Sequence, residues 1–328
     1  MNARSEMWLE TMMSDAYHSG RLVIARTDTE ARRLERLANE QVLVRPVRGM
    51  FWDPTEWQAL KPPEKARLVV RTFAVKHPKW VFCNESAAHL HGLEVSDPSF
   101  TPVHIAVQRI STAKKTRNVI RHPMPDVDEV LVQGVKVTSL EQTVLYCLIE
   151  MNFDYALAVA DSALRKTGLP RKHFVEFAQA HAQDIGYERA LDVLAWANPL
   201  SENGGESVAR AVMIEQGYAV PELQAEIADP FEAGRSYRCD YLWKLPTGEF
   251  VAGELDGRDK YRNPEMTAGR DAVDVLADER LRESRLGAAG LRVMRFSYAD
   301  VQDVGRFTKI MDLYGIPRGP MRPRGRRL

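Results

Sequence analysis

Cysteine is scarce. The 328 residues hold three, Cys83, Cys147 and Cys239, and no two form a C-x-x-C pair. A zinc ribbon or a disulfide framework is not expected, and a reducing cytoplasm fits. Net charge is absent as well: 45 Lys and Arg balance 45 Asp and Glu. The whole molecule is therefore no electrostatic magnet for nucleic acid, and any such contact must rest on local patches. No run approaches the ~18 apolar residues of a membrane span. The opening "MNARSEMWLETMM" lacks the apolar core of a signal peptide. A soluble cytoplasmic protein without a membrane partner is the expectation. Internal repeats are missing too.

Apolar material is not missing. Hydrophobic residues make up 45% of the chain and charged residues 27%, which is ample for packed cores. At roughly 100–200 residues per domain, the length suggests two or three domains.

The first segment, 1–60, reads as two helices and a hairpin. Thr27 and Glu30 have the spacing of a capping box. Ala31, Leu34, Leu37 and Ala38 then form one apolar stripe, leaving Arg32, Arg33 and Arg36 largely off it. "VLVRPVRGMFW" reads as two short strands with Arg48-Gly49 at the turn. Helices followed by a hairpin suggest a winged helix-turn-helix, in which the arginines face DNA. A small helical subdomain with solvated arginines would carry the same pattern.

The segment 61–200 reads as a mixed α/β domain. "NESAAHLHGL" is a helix ending at Gly92, "TPVHIAV" a strand, and "VLVQGVKVTS" a hairpin through Gly134. "QRISTAKKTRNVIRH" carries Arg109, Lys114, Lys115, Arg117 and Arg121 without an acid. It could grip phosphates, and a solvated loop or edge strand is an equal reading. His89 and His91 stand two apart on a helix, pointing to different sides, so a structural role is preferred to metal binding.

Clustered breakers in "NPLSENGGES" mark the next boundary. From 201 to 316 the order is helix, three strands, helix, strand. The last residues, 317–328, are arginine-rich and patternless, a basic tail expected to be disordered. If "YRCDYLW" and "EFVAGELDG" form a hairpin, Glu254 and Asp256 share a strand face and Asp240 can meet them from the neighbouring strand. Glu206 lies on the helix that opens this segment. Carboxylates gathered in this way repel unless a cation compensates them. Hard oxygen ligands suit Mg²⁺ or Mn²⁺, and such an ion would serve phosphodiester hydrolysis. Taken alone, "ELDG" is also explained by an ordinary turn. Lys260 is either a positive charge for the transition state or a surface residue.

The stretch from about Glu202 to Val301 resembles the PD-(D/E)XK nuclease superfamily, closest to its Vsr-like endonucleases. The matching pieces are "GES", "ELQ", "RCDYLW", "VAGELDGRDKY" and the arginine-rich helix before "GLRVMRFSYADV". The resemblance implies a restriction-endonuclease-like αβββαβ core and a metal-dependent endonuclease acting on nucleic acid, with double-stranded DNA favoured. It implies Asp240 and Glu254 as metal ligands, with Asp256 at the position often held by lysine. Glu206 would be the helix acid and Gln224 the polar residue of the first strand. The acid at the lysine position departs from the pattern. Either Lys260 takes that role, or Asp256 joins the metal ligands.

Over about 20–170, "RLERLANEQVLVRPVRGMFW", "NESAAHLHGL", "TPVHIAV", "GVKVTSLEQTVLYCL" and "ALAVADSALRKTGL" resemble abortive-infection AbiEi-type antitoxins. That likeness implies a winged helix with a larger domain behind it, transcriptional autoregulation, a role in phage defence and a cognate toxin partner. It supports an alternative function: a DNA-binding antitoxin with a non-catalytic C-terminal domain.

Overall fold

A computed structural model describes residues 3–96, 99–109, 117–256 and 281–319. The chain is a mixed α/β protein, and its described residues form three sheets. It divides into two compact units, Met1–Glu150 and Met151–Leu328.

In the first unit, helices α1 (Ala3–His18) and α2 (Asp28–Asn39) precede the antiparallel pair β1 (Val44–Val47) and β2 (Met50–Trp52). The capping box forms as expected: Thr27 accepts from the Glu30 amide, and the Glu30 carboxylate accepts from the Thr27 amide. Leu34 and Leu37 are buried. Helices α3 (Pro54–Ala59) and α4 (Pro62–Lys76) follow. Then β3 (Val81–Phe82), α5 (Asn84–Leu90), β4 (Val103–Val107), β5 (Val119–Pro123), β6 (Glu129–Val132), β7 (Val135–Thr138) and α6 (Leu140–Glu150) complete the unit. The strands form a five-stranded sheet in the order β5-β4-β3-β7-β6. Gln133 and Gly134 both have positive φ, 52° and 80°, the geometry of a tight hairpin turn. One apolar core runs from Leu34 and Met50 through Val69 to Phe82 and Val137. Residues 1–60 thus share their core with the sheet that follows them.

In the second unit, helices α7 (Phe153–Thr167), α8 (Arg171–Ala180) and α9 (Tyr187–Trp196) come first. Next are α10 (Gly204–Glu215), β8 (Glu222–Ala228), β9 (Ser236–Lys244) and β10 (Phe250–Asp256). A helical stretch over 281–288 leads into β11 (Leu291–Ser297), α12 (Tyr298–Gln302) and α13 (Val304–Leu313). The sheet order is β11-β10-β9-β8. β8, β9 and β10 pair antiparallel, while β10 and β11 pair parallel from Phe250↔Leu291 to Asp256↔Ser297. A parallel pair needs a crossover connection, and the helical stretch over 281–288 lies in it.

The core of this unit packs Val208, Val212 and Met213 of α10 against Tyr241, Trp243, Val251 and Phe296, with Phe307 and Met311 of α13. Trp243 leaves no room above Gly253: a Cβ there would stand 2.8 Å from the indole. Behind this core, Arg210 of α10 bonds Asp161 of α7 at 2.6 Å, with both side chains buried. Asp161 also accepts from the Asn198 amide, and Arg210 donates to the Trp196 carbonyl. The basic tail is packed over its first residues. Ala219 donates to the Pro317 carbonyl, and Arg318 lies over the Tyr218 ring and bonds Asp312. Residues 320–328 lie outside the described residues.

Candidate carboxylate site

The sheet of the second unit changes character at one level. Gln224, in the middle of β8, has φ 54°, a left-handed conformation uncommon for a residue with a side chain. Leu223 packs into the core under α10, whereas Ala225 belongs to a separate cluster with Cys239 and Ala252. Alternation would put Leu223 and Ala225 on one face, so the kink at Gln224 switches faces. Tyr241 and Cys239 on β9 divide in the same way. The β9–β10 pairing runs from Phe250↔Lys244 to Gly253↔Tyr241. At the next position the Asp240 side chain takes over from the backbone, its Oδ2 accepting from the Leu255 amide at 2.9 Å.

The predicted polar residues gather around this break. Glu206, in the first turn of α10, is 4% exposed. Asn203 caps the helix: its Oδ1 accepts from the Glu206 amide, and its Nδ2 donates to Glu206 Oε1 at 2.6 Å. Glu206 Oε2 accepts from the Glu202 amide at 2.7 Å and from Gln224 Nε2 at 3.2 Å. Tyr241 donates to the Glu206 carbonyl. Burial pushes the Glu206 carboxyl up to about 7, against the lowering effect of the Glu202 amide, and the charge of Asp240 adds to the rise. The Cys239 thiol is held up at about 12, first by burial, then by the charges of Glu254 and Asp240. Those two acids therefore share its surroundings.

Glu254 is 7% exposed, and its Oε1 meets Arg282 at 2.7 Å. Arg282 also donates to the Arg238 carbonyl. Asp256 is half-buried, with Arg295 of β11 at 3.8 Å. Lys260 lies outside the described residues.

The donors are oxygens of the kind that suit Mg²⁺ or Mn²⁺. Their arrangement does not yet fit an ion. Among the described residues, no three His, Cys, Asp or Glu side chains stand where they could hold a metal together. Asp240, Glu254 and Asp256 each face a donor of the protein itself. Asn203 and Arg282, which stand against Glu206 and Glu254, were not singled out in the sequence. Asn203 carried a signal, since Asn three residues before Glu206 has cap spacing. Arg282 carried none beyond its arginine-rich helix, because only the crossover brings it back to the sheet.

The candidate nucleic-acid residues of the first unit differ in exposure and partners. Arg32, Arg36, Arg48 and Arg117 are exposed. Arg36 has Glu40 at 3.8 Å. Arg33 is stacked over the Trp8 ring at 3.9 Å and is less available to a phosphate. Lys114 and Lys115 lie outside the described residues. His89 is buried, and His91 Nε2 donates to the Thr138 carbonyl.

A second polar cluster in this unit was not anticipated. His104 Nδ1 stands 3.0 Å from Glu85 and 2.9 Å from His122 Nε2, and His122 Nδ1 meets Glu150 at 2.9 Å. The hydrogen bonds run His104 Nδ1 to His122 Nε2 and His122 Nδ1 to Glu150, so one proton on each Nδ1 serves both. Burial, then the neighbouring His122 and His89, hold His104 down at about 3.

No helix among the described residues is long and apolar enough to cross a membrane. The fold is of the mixed α/β class, and no family model matches the chain. Two relatives from Mycobacterium tuberculosis are similar over 221 residues: "Uncharacterized protein MT2308" of strain CDC 1551 / Oshkosh and "Uncharacterized protein Rv2248" of strain H37Rv. Each is 26% identical, covering 63% of this chain and 79% of the relative.

Proposed function

We propose that the second unit hydrolyses phosphodiester bonds in nucleic acid, with double-stranded DNA the favoured substrate and Mg²⁺ or Mn²⁺ the cofactor. The observation that carries this reading is that Gln224 bonds the buried Glu206, that the charge of Asp240 reaches Glu206, and that Asp240 and Glu254 both act on Cys239 where the β9–β10 ladder ends. Burying Glu206 and Glu254 is tolerated because each has hydrogen-bond partners, and a site with work to do is one reason to keep them there. The resemblance to PD-(D/E)XK nucleases gives the same residues their chemistry. Glu206 can keep or release a proton near neutral pH, as a general acid or base must. A divalent ion, once bound, would polarise the phosphoryl oxygens.

The test is plasmid cleavage with Mg²⁺ or Mn²⁺. Asp240→Asn keeps an acceptor for the Leu255 amide and should lower cleavage by about a hundredfold or more. Absence of cutting on duplex, single-stranded and mismatched substrates would count against the reading, as would cutting that survives Asp240→Asn.

A DNA-binding regulator of antitoxin type, with a cognate toxin as partner, is the second reading. It is favoured by the exposed Arg32 and Arg36 on α2 and by Arg48 at the β1–β2 turn, which the winged-helix reading assigns to DNA. Promoter binding abolished by Arg32→Ala with Arg36→Ala would support it. The two readings are compatible within one chain.

A further inference from the structure

The balance of charges over the whole chain hides a local excess. Between residues 41 and 80 stand eight Lys and Arg against three Asp and Glu. All three acids sit at helix starts. Asp53 caps α3, Glu56 lies in the first turn of that helix, and Glu64 accepts from the Lys61 amide at the start of α4. Several of the cations are engaged too. Arg45 pairs with Glu35 at 2.5 Å, Lys65 lies over the Trp57 ring, and Arg71 bonds Gln133. Arg48, Lys76 and Lys79 are exposed and meet no carboxylate among the described residues.

The fold seats two of these three at one turn. Gly49, with φ 71°, turns β1 into β2 directly after Arg48. A Cβ at Gly49 would stand 3.8 Å from Lys76 Nζ. The ammonium at the end of α4 therefore lies against the turn that carries Arg48. Lys79 stands in the next turn, where the Trp80 amide donates to the His77 carbonyl at 3.0 Å. Aromatic rings brace that turn. His77 and Trp80 stack 3.7 Å apart, and Phe73 stacks on both. Phe73 is buried in the core that also holds Met50 and Phe51 of β2. Burial, then the charge of Lys76, lowers the proton affinity of His77, so its ring is a neutral support near pH 7. The partial negative charge at the end of α4 accounts for one cation there. It does not account for others placed close by, because like charges repel.

We propose that the β1–β2 turn and the end of α4 form one phosphate-binding surface for the backbone of double-stranded DNA, with Arg48, Lys76 and Lys79 each taking a phosphate. The inference rests on the reading of the first unit as a DNA-binding one, and it adds Lys76 and Lys79 to the contacts of that unit. Unpaired cations recognise the charge of the backbone and carry no sequence information. A surface already braced by packing loses little freedom on binding.

Each lost phosphate contact should lower the steepness of the salt dependence by about 1. Arg48→Gln with Lys76→Gln and Lys79→Gln should therefore flatten the slope of log affinity against log salt by about 3, equally on duplexes of unrelated sequence. Fluorescence anisotropy with the full chain measures it. Lys76→Arg keeps the charge and should keep the slope. The wild-type chain gives a second readout. Acetylation of Lys76 and Lys79, followed by mass spectrometry, should slow when duplex is added, while the exposed Lys172 of α8 should be labelled as before.

A slope unchanged in the folded triple variant would overturn the proposal, as would acetylation of Lys76 and Lys79 that duplex leaves unchanged. If Arg32→Ala with Arg36→Ala still weakens binding in that case, the DNA-binding reading stands without this surface. A wild-type chain that binds no duplex even at low salt would defeat both. Binding to phosphatidylserine vesicles that the triple variant loses, with duplex binding kept, would assign these cations to a lipid surface and overturn the proposal as well.

Discussion

Glu206 and His104 show how burial sets opposite pH responses in the two units. The Glu206 carboxyl binds its proton up to about pH 7, against an ordinary 4.5. Between those values the folded chain holds a proton that the unfolded chain has shed, so stability falls as pH rises through this window. At ~1.4 kcal/mol per unit, the ceiling is about 3 kcal/mol. Glu206→Gln should flatten this loss: urea denaturation at pH 5 and pH 8 should give a smaller difference for the variant. His104 has the opposite sign. It is held at about 3 against an ordinary 6.5, so the unfolded chain takes up a proton that the folded chain refuses. Its contribution is full above about 6.5 and is lost as the medium is acidified toward 3. Thermal melts from pH 7.5 to 5 should fall more steeply for the wild type than for His104→Gln.

At the scale of elements, the seating of α10 decides whether the candidate site exists. Its first turn carries Glu206, and its next turn carries Arg210, buried against Asp161 of α7. Removing one partner leaves an uncompensated buried charge, so Asp161→Ala should cost about 3–5 kcal/mol in chemical denaturation. What was legible here was local. The Thr27–Glu30 capping box, the turn at Arg48-Gly49, the hairpin through Gly134, and the strand holding Glu254 and Asp256 are written in neighbouring residues. The left-handed Gln224 is not, because nothing in "ELQAEIA" demands a positive φ. It follows from how β8 must change faces above α10. Arg282 was illegible for a related reason. A charged residue on a polar helix looks solvated until the crossover sets it against β9 and β10.

For the whole molecule, the balance of charges bears on nucleic-acid binding. With 45 residues of each sign, long-range attraction for DNA is weak, and affinity must come from a few phosphate contacts. The logarithm of the binding constant should therefore fall gently with the logarithm of salt concentration, and Arg32→Ala with Arg36→Ala should reduce that slope by about 2. Fluorescence anisotropy with labelled duplex between 50 and 200 mM salt measures it. A steep slope unaffected by this pair would move the contact elsewhere on the chain.

The parallel pairing of β10 with β11 also fixes a sequence of events at the ribosome. Glu206, Asp240 and Glu254 are synthesised before Arg282, and β10 is complete well before Leu291–Ser297 exists to cover its free edge. Until then the nascent chain presents a strand edge that β11 has not yet covered. Such an edge invites pairing with other chains, and closing it requires a long-range contact of the slow kind. Stalling translation between residues 256 and 291 should therefore yield a species prone to self-association.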